Sequence, residues 1–339
     1  MGLKYKFEID REVCFIHWLQ NMAGKWSWHF QKNLHSFFYL NASNLDDKEK
    51  SHLESFRNFL KEKESLKGKD GAGNWLWWRY ANKSLAEKKD IQVFRDLKEI
   101  FAKRFEELWQ EEKPKLEYWK KRLDEYDFES MQNTLESAAH FIGGTLPESE
   151  ITIKLIFSST IAPNGGTHPN HQNLILLGVS NIVPEDSERV IGTLGHEILH
   201  LVDHRTAGIL KILKKALLKE LFTAYIFKLK RFNIAKGYKW NYLLTESVLR
   251  SLASFRFNTL IGEKLFHTPE QLAEDADFNI GNGLHKKSPQ FLIRIIGANL
   301  LEEIKNYIAT KKQIDSKFGK KVAEEWLKIA DAIWKEINP

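Results

Sequence analysis

The sequence predicts a mostly α-helical protein with a small mixed or antiparallel β-sheet. Three observations predict it. Apolar residues recur at helical spacing through most of residues 1–145. Two β-branched, apolar runs then interrupt the pattern, ITIKLIFSST at 151–160 and NLILLGVS at 173–180. Helical spacing returns after them and holds to the end. The expected organisation is a helical N-terminal region over 1–145, a core carrying the sheet over 146–287, and C-terminal helices over 288–339.

In the N-terminal region, residues 46–66 place Leu53, Phe56, Phe59 and Leu60 on one helical face, and GKDGAG breaks the pattern. A second helix runs through Phe94, Leu97, Phe101, Phe105, Leu108 and Trp109. Pro114 is expected to interrupt it before Leu116, Trp119 and Leu123 resume it. A third pattern, Met131, Leu135, Ala138, Ala139 and Ile142, stops at Gly143–Gly144. The two apolar runs of the core read as strands joined by a glycine-rich loop that contains APNGG, His168 and His171. NIVPEDSERV then opens a helix, with Asp186 or Ser187 as its cap and acids in its first turn. A basic amphipathic helix over 208–230 and a helix through Leu243–Phe257 follow. Thr268-Pro269 and Ser288-Pro289 start two more, and Val322, Trp326, Ile329 and Ile333 mark the last.

Composition narrows the class. The single cysteine, Cys14, excludes an internal disulfide and a cysteine-based zinc site, and fits a reducing compartment. The N-terminus has no apolar stretch of the secretory kind, and no window reaches the length of a membrane span. A cytoplasmic protein is the expectation. The net charge of +6 is local: residues 205–240 hold ten Lys or Arg against the one acid Glu220. A solvated helix face is its ordinary meaning; an acidic partner, anionic lipid or nucleic acid is the alternative. The clusters WSW at 26–28 and WLWW at 75–78 read as packing anchors.

The chemistry gathers in GHEILHLVDH, residues 195–204. His196-Glu197-x-x-His200 is an HExxH pattern. Residues four apart share one helix face, so both imidazoles can reach a single Zn²⁺. Glu197 stands beside them, placed to take a proton from an attacking water and deliver it to a leaving amine. The flanks Val190, Ile191, Leu194, Ile198, Leu201 and Val202 make the helix a buried one. Buried polar groups need partners, and a metal is a partner.

A catalytic zinc needs a third protein ligand and an open position. His204 lies eight residues past His196, about 12 Å along a straight helix, too far for one ion. Asp203 fails for the same reason, and Thr206 stands where a third histidine of the extended motif would be. The favoured candidate is Glu246, a lone acid on the apolar helix LLTESVLRSLASF. Glu220 is second, with Glu263, Glu270 and Glu274 behind it. An oxyanion donor is expected from Tyr242, His267 or His285.

A buried HExxH helix followed by a helix carrying a glutamate resembles the gluzincin zinc metallopeptidases, the thermolysin-like group. The resemblance covers residues 150–260 and matches TESVLRSLA loosely to the setting of that group's ligand glutamate. It implies a zincin-like α+β core binding one Zn²⁺, with His196, His200 and Glu246 as ligands and Glu197 as general base and acid. It also implies an edge strand that receives the substrate backbone, in the place held by NLILLGVS. The chain departs from the group in two ways. His200 and Glu246 are 46 residues apart, a longer gap, and Arg250 stands where the group carries an acid that supports a histidine. Asp203 or another acid is then expected to give that support.

The expected activity is hydrolysis of peptide bonds in peptides or unfolded protein, with the helical N-terminal region restricting access to the cleft. The rival expectation is a catalytically silent zinc-binding protein that docks acidic partners, or nucleic acid, through residues 205–240.

Overall fold

A computed structural model describes residues 3–23, 45–65, 88–157, 163–167, 173–180, 182–206, 208–216, 243–252 and 289–337. The protein is mostly helical, with a small mixed four-stranded sheet. The chain divides into two compact units. One is formed by Leu3–Tyr126 with Ser149–Thr193, the other by Asp127–Glu148 with Leu194–Pro339.

The first unit holds the sheet. Its strands are β1 (Tyr5–Ile9), β2 (Ile151–Ile156), β3 (Asn164–Thr167) and β4 (Leu174–Gly178). They lie in the order β1-β2-β4-β3, with β1 and β4 parallel to β2 and β3 antiparallel to β4. Near-continuous apolar runs in β2 and β4 suit interior strands covered on both faces.

Two expectations are corrected here. The N-terminal region is not wholly helical: YKFEI, with its strict apolar–polar alternation, supplies an outer strand. Nor is the run at 173–180 an edge. β4 is flanked by β2 and β3, and the edge strand comes from the glycine-rich stretch NGGT that read as loop. Two glycines in a row carry no side-chain pattern, so nothing in the sequence marks them as paired.

Helix α1 (Arg11–Met22) follows β1 and is buried along almost its whole length. Helix α2 (Asp47–Ser65) begins with a reciprocal capping box. Asp46 accepts from the Glu49 amide at 2.7 Å, and Glu49 accepts from the Asp46 amide at 2.9 Å. Arg104 then grips Glu49 through Nε at 2.9 Å and Nη2 at 2.7 Å, joining α2 to α3 (Lys88–Asp124). The interruption expected at Pro114 does not occur; α3 runs through it as one helix. Aromatic rings of α1 and α3 interlock, with Phe15 against Phe105 at 4.9 Å and Trp18 edge-on to Phe101 at 5.9 Å.

In the second unit, α4 (Glu129–Phe141) ends where expected, at Gly143, whose φ of 81° few other residues adopt. A 3₁₀ turn (Pro184–Asp186) leads into α5 (Ser187–Thr206), which carries the HExxH motif. Ser187–Thr193 belong to the first unit, the rest of α5 to the second. There follow α6 (Gly208–Ala216), α7 (residues 243–252), α8 (Pro289–Ala309) and α9 (Ser316–Ile337). Phe141, Tyr307 and Phe318 form a three-ring cluster with centroids 5.2–6.0 Å apart. Asp315 caps α9 at the Phe318 amide and accepts from the Tyr307 hydroxyl, each at 2.9 Å. Among the described residues, no helix is long and apolar enough to cross a membrane.

One ion pair fixes the start of the first unit. Lys154 of β2 is only 4% exposed, and its ammonium meets Asp10 at 2.5 Å. Asp10 also accepts from the amides of Glu12 and Val13 and so caps α1. Burial opposes the Asp10 charge, but Lys154 and the two amides outweigh it and hold the carboxyl below its ordinary 3.8. The stabilisation is therefore present above that pH and is lost as pH falls through the lower native value. Asp10→Ala leaves Lys154 buried with, among the described residues, the more distant Glu8 as its remaining ion-pair partner. It should cost about 3 kcal/mol in urea unfolding at pH 7, and less at pH 3.

Candidate metal centre

The site is assembled from two helices of the second unit. On α5, Ile198, Leu199, Leu201 and Val202 are fully buried, which turns His196, Glu197 and His200 inward rather than to solvent. On α7, Leu243, Leu244, Val248, Leu249 and Leu252 bury the faces around Glu246. Helix α7 is held close to α8 at a small-residue contact. Ser251 donates to the Gly297 carbonyl at 2.7 Å, and a Cβ on Gly297 would stand 2.9 Å from Ser251 Oγ. A side chain there would force Ser251 Oγ to shift.

The side chains converge. His196 Nε2 and His200 Nε2 are 3.1 Å apart. Glu246 places Oε1 at 3.0 Å from the first and Oε2 at 3.0 Å from the second. Tetrahedral ligands at zinc bond lengths stand ~3.3 Å from one another, so these separations suit a divalent ion with modest relaxation. Glu197 joins the cluster, since His196, Glu197 and His200 bring ligand-type atoms within 4.8 Å of one another. Both arrangements include the two histidines. Glu246 makes the shorter contacts, and Glu197 remains beside them.

The electrostatics follow from burial. Glu246 and His196 are 2% and 3% exposed. His196 is pushed down to about 4, chiefly by burial, with Arg250 and His200 adding to the effect against Glu246. Burial also opposes a charge on His200, but Glu246, Glu197 and Asp203 outweigh it and raise the ring to about 9. Glu246 is buried too, yet the two imidazoles hold it well below the ordinary carboxylate range. For Glu197 burial wins: with Glu246 adding to it, it outweighs the positive charges of His200 and Arg250 and raises the carboxyl to about 7. The donor set of two imidazoles and a carboxylate needs positive charge at its centre. A proton on His200 supplies one unit, and a divalent cation supplies two. Among the described residues, the buried His196 Nδ1 has no hydrogen-bond partner. This donor chemistry fits Zn²⁺.

No family model, curated protein or solved structure matches the chain. What it shares with the gluzincins is the His196-Glu197-His200 cluster, a group able to hold a metal ion. The cluster was fully legible in the sequence, and the convergence on Glu246 follows the favoured candidate. His204 stacks on His200 with centroids 5.8 Å apart and has no part in the cluster. Asp203 Oδ1 accepts from the Ile209 amide at 3.2 Å, at the start of α6, and its charge acts on His200 from there. Arg250, noted in the sequence only as a departure, donates from Nε to Glu246 Oε1 at 3.0 Å. The signal that would have found it is the i,i+4 spacing from Glu246. Glu220, Glu263, Glu270, Glu274, Tyr242, His267, His285, His168, His171, both tryptophan clusters and the basic segment beyond Ala216 lie outside the described residues.

Metal uptake must displace the His200 proton, whereas His196 is already neutral. Zinc affinity should therefore rise about tenfold per pH unit from pH 7.5 and flatten near pH 9. Calorimetry at pH 8 in buffers of different ionisation enthalpy should record the release of about one proton or more. An affinity independent of pH over that range contradicts this charge assignment.

Proposed function

We propose that the protein is a zinc-dependent metallopeptidase of gluzincin type that hydrolyses peptide bonds in peptides or unfolded protein. One observation carries the reading. Two imidazoles and a distant carboxylate converge at 3.0–3.1 Å in a buried place, with a fourth ionisable group, Glu197, next to them. A structural helix has no use for such an arrangement, because each of those groups is costly to bury alone. In this reading His196, His200 and Glu246 hold the ion. When bound there, Zn²⁺ supplies Lewis-acid polarisation of a carbonyl and acidification of water.

Glu197 does the proton work. Burial raises its carboxyl to about 7 before an ion binds, and a cation beside it would favour the carboxylate that a base requires. No hydrogen bond ties its carboxylate to the other described residues, which leaves its lone pairs for a substrate water. As base it takes that water's proton, and as acid it passes the proton to the departing amine nitrogen. His196 and His200 stay fixed by the helix that carries all three.

Glu197→Gln separates catalysis from binding, because the amide keeps the size and loses the base. The variant should retain one zinc per chain and lose peptide hydrolysis by about 10²-fold or more. Cleavage is read by mass spectrometry on a broad peptide library. A wild-type chain that holds zinc but cleaves nothing in that library would contradict the reading and favour a silent zinc-binding protein.

A further inference from the structure

The two oxygens of Glu246 have different surroundings. Oε1 faces His196 Nε2 at 3.0 Å and accepts from Arg250 Nε at 3.0 Å. Oε2 is buried and lies 3.0 Å from His200 Nε2, and among the described residues no group outside the histidine pair bonds to it. Arg250 sits one helical turn beyond Glu246 on α7, within reach of its carboxylate. Its side chain is 46% exposed, against 3% for Glu246. The guanidinium thus has access to solvent while the carboxylate it grips does not.

We propose that Arg250 is a positioning residue for the metal: by holding Glu246 Oε1 it leaves Oε2 as the one carboxylate atom presented to a divalent cation. The inference rests on the reading of His196, His200 and Glu246 as the ligands. A free carboxylate can bind a cation through both oxygens. One whose Oε1 is held by a charge-assisted hydrogen bond does so only by breaking that bond. Ligation through one oxygen keeps a coordination position open, which a catalytic ion needs and a structural one does not. The adjacent positive charge also draws electron density from the ligand, so the ion it holds remains a stronger Lewis acid. Arg250 stands where the thermolysin-like group has an acid serving a histidine, and here it serves the carboxylate instead.

The test uses the full-length chain loaded with Co²⁺, whose visible absorption per ion falls several-fold when a further ligand atom joins a four-coordinate site. Arg250→Met keeps the bulk and removes the donor. It should bind one cobalt with several-fold weaker absorption, as Glu246 closes onto the ion with both oxygens. Arg250→Gln puts a neutral N–H donor the same number of bonds from Cα as Nε, and should restore the wild-type spectrum. An unchanged spectrum in Arg250→Met overturns the inference, as does a failure of Arg250→Gln to restore it. X-ray absorption on the wild-type zinc protein gives a check that needs no variant, and a two-oxygen carboxylate there overturns it too. Glu246→Ala keeps the two claims apart. If that variant retains the wild-type cobalt spectrum, the ligand assignment itself fails and this inference falls with it.

Discussion

Everything in the candidate site depends on one electrostatic constraint: two imidazole nitrogens and a carboxylate, largely withdrawn from solvent, held within 3.1 Å of one another. Lone pairs brought so close repel unless positive charge lies among them. The opposed shifts of the two histidines, His196 down to about 4 and His200 up to about 9, express that demand. The cluster admits one proton readily and a second poorly. A divalent cation meets the same demand with more charge in one place, and needs no proton on either ring.

The fold of the second unit maintains this constraint by stiffness. His196 and His200 share a helix with fully buried apolar neighbours, so the helix cannot roll to carry them away without exposing Ile198 or Leu199. Glu246 lies on α7, which is locked to α8 through Ser251 and the Gly297 carbonyl. Arg250 fixes the carboxylate's orientation from the solvent side. Asp203 bonds the start of α6 and adds negative charge near His200, so the turn after α5 also contributes to the field at the site. The candidate ligands are thus placed by helices and not by loops, which favours a precise site.

The clustering of the site's side chains was more legible in the sequence than the sheet. HExxH is a short-range pattern, and helix periodicity alone puts its two histidines together. Glu246 was readable because an unaccompanied acid among leucines is an anomaly that burial makes costly. Arg250 was harder: a Glu–Arg pair four apart ordinarily means a surface ion pair, and only the burial of Glu246 gives it another meaning. The sheet was half legible. β2 and β4 announce themselves through β-branched residues, but pairing order is a long-range property. β1 joins β2 across some 140 residues of intervening sequence, and β3 is written in glycines that carry no pattern. Pro114 misled for a related reason. A proline lacks one hydrogen-bond donor, but the buried aromatic face of α3 on both sides of it outweighs that loss.

The central claim is that one divalent ion is bound by His196, His200 and Glu246 together. Metal analysis of the purified wild-type chain beside His200→Ala and Glu246→Ala tests it most directly. The account requires one zinc per wild-type chain and a loss of bound zinc in both variants, with each still folded by circular dichroism. A folded Glu246→Ala chain that keeps its full zinc would contradict it.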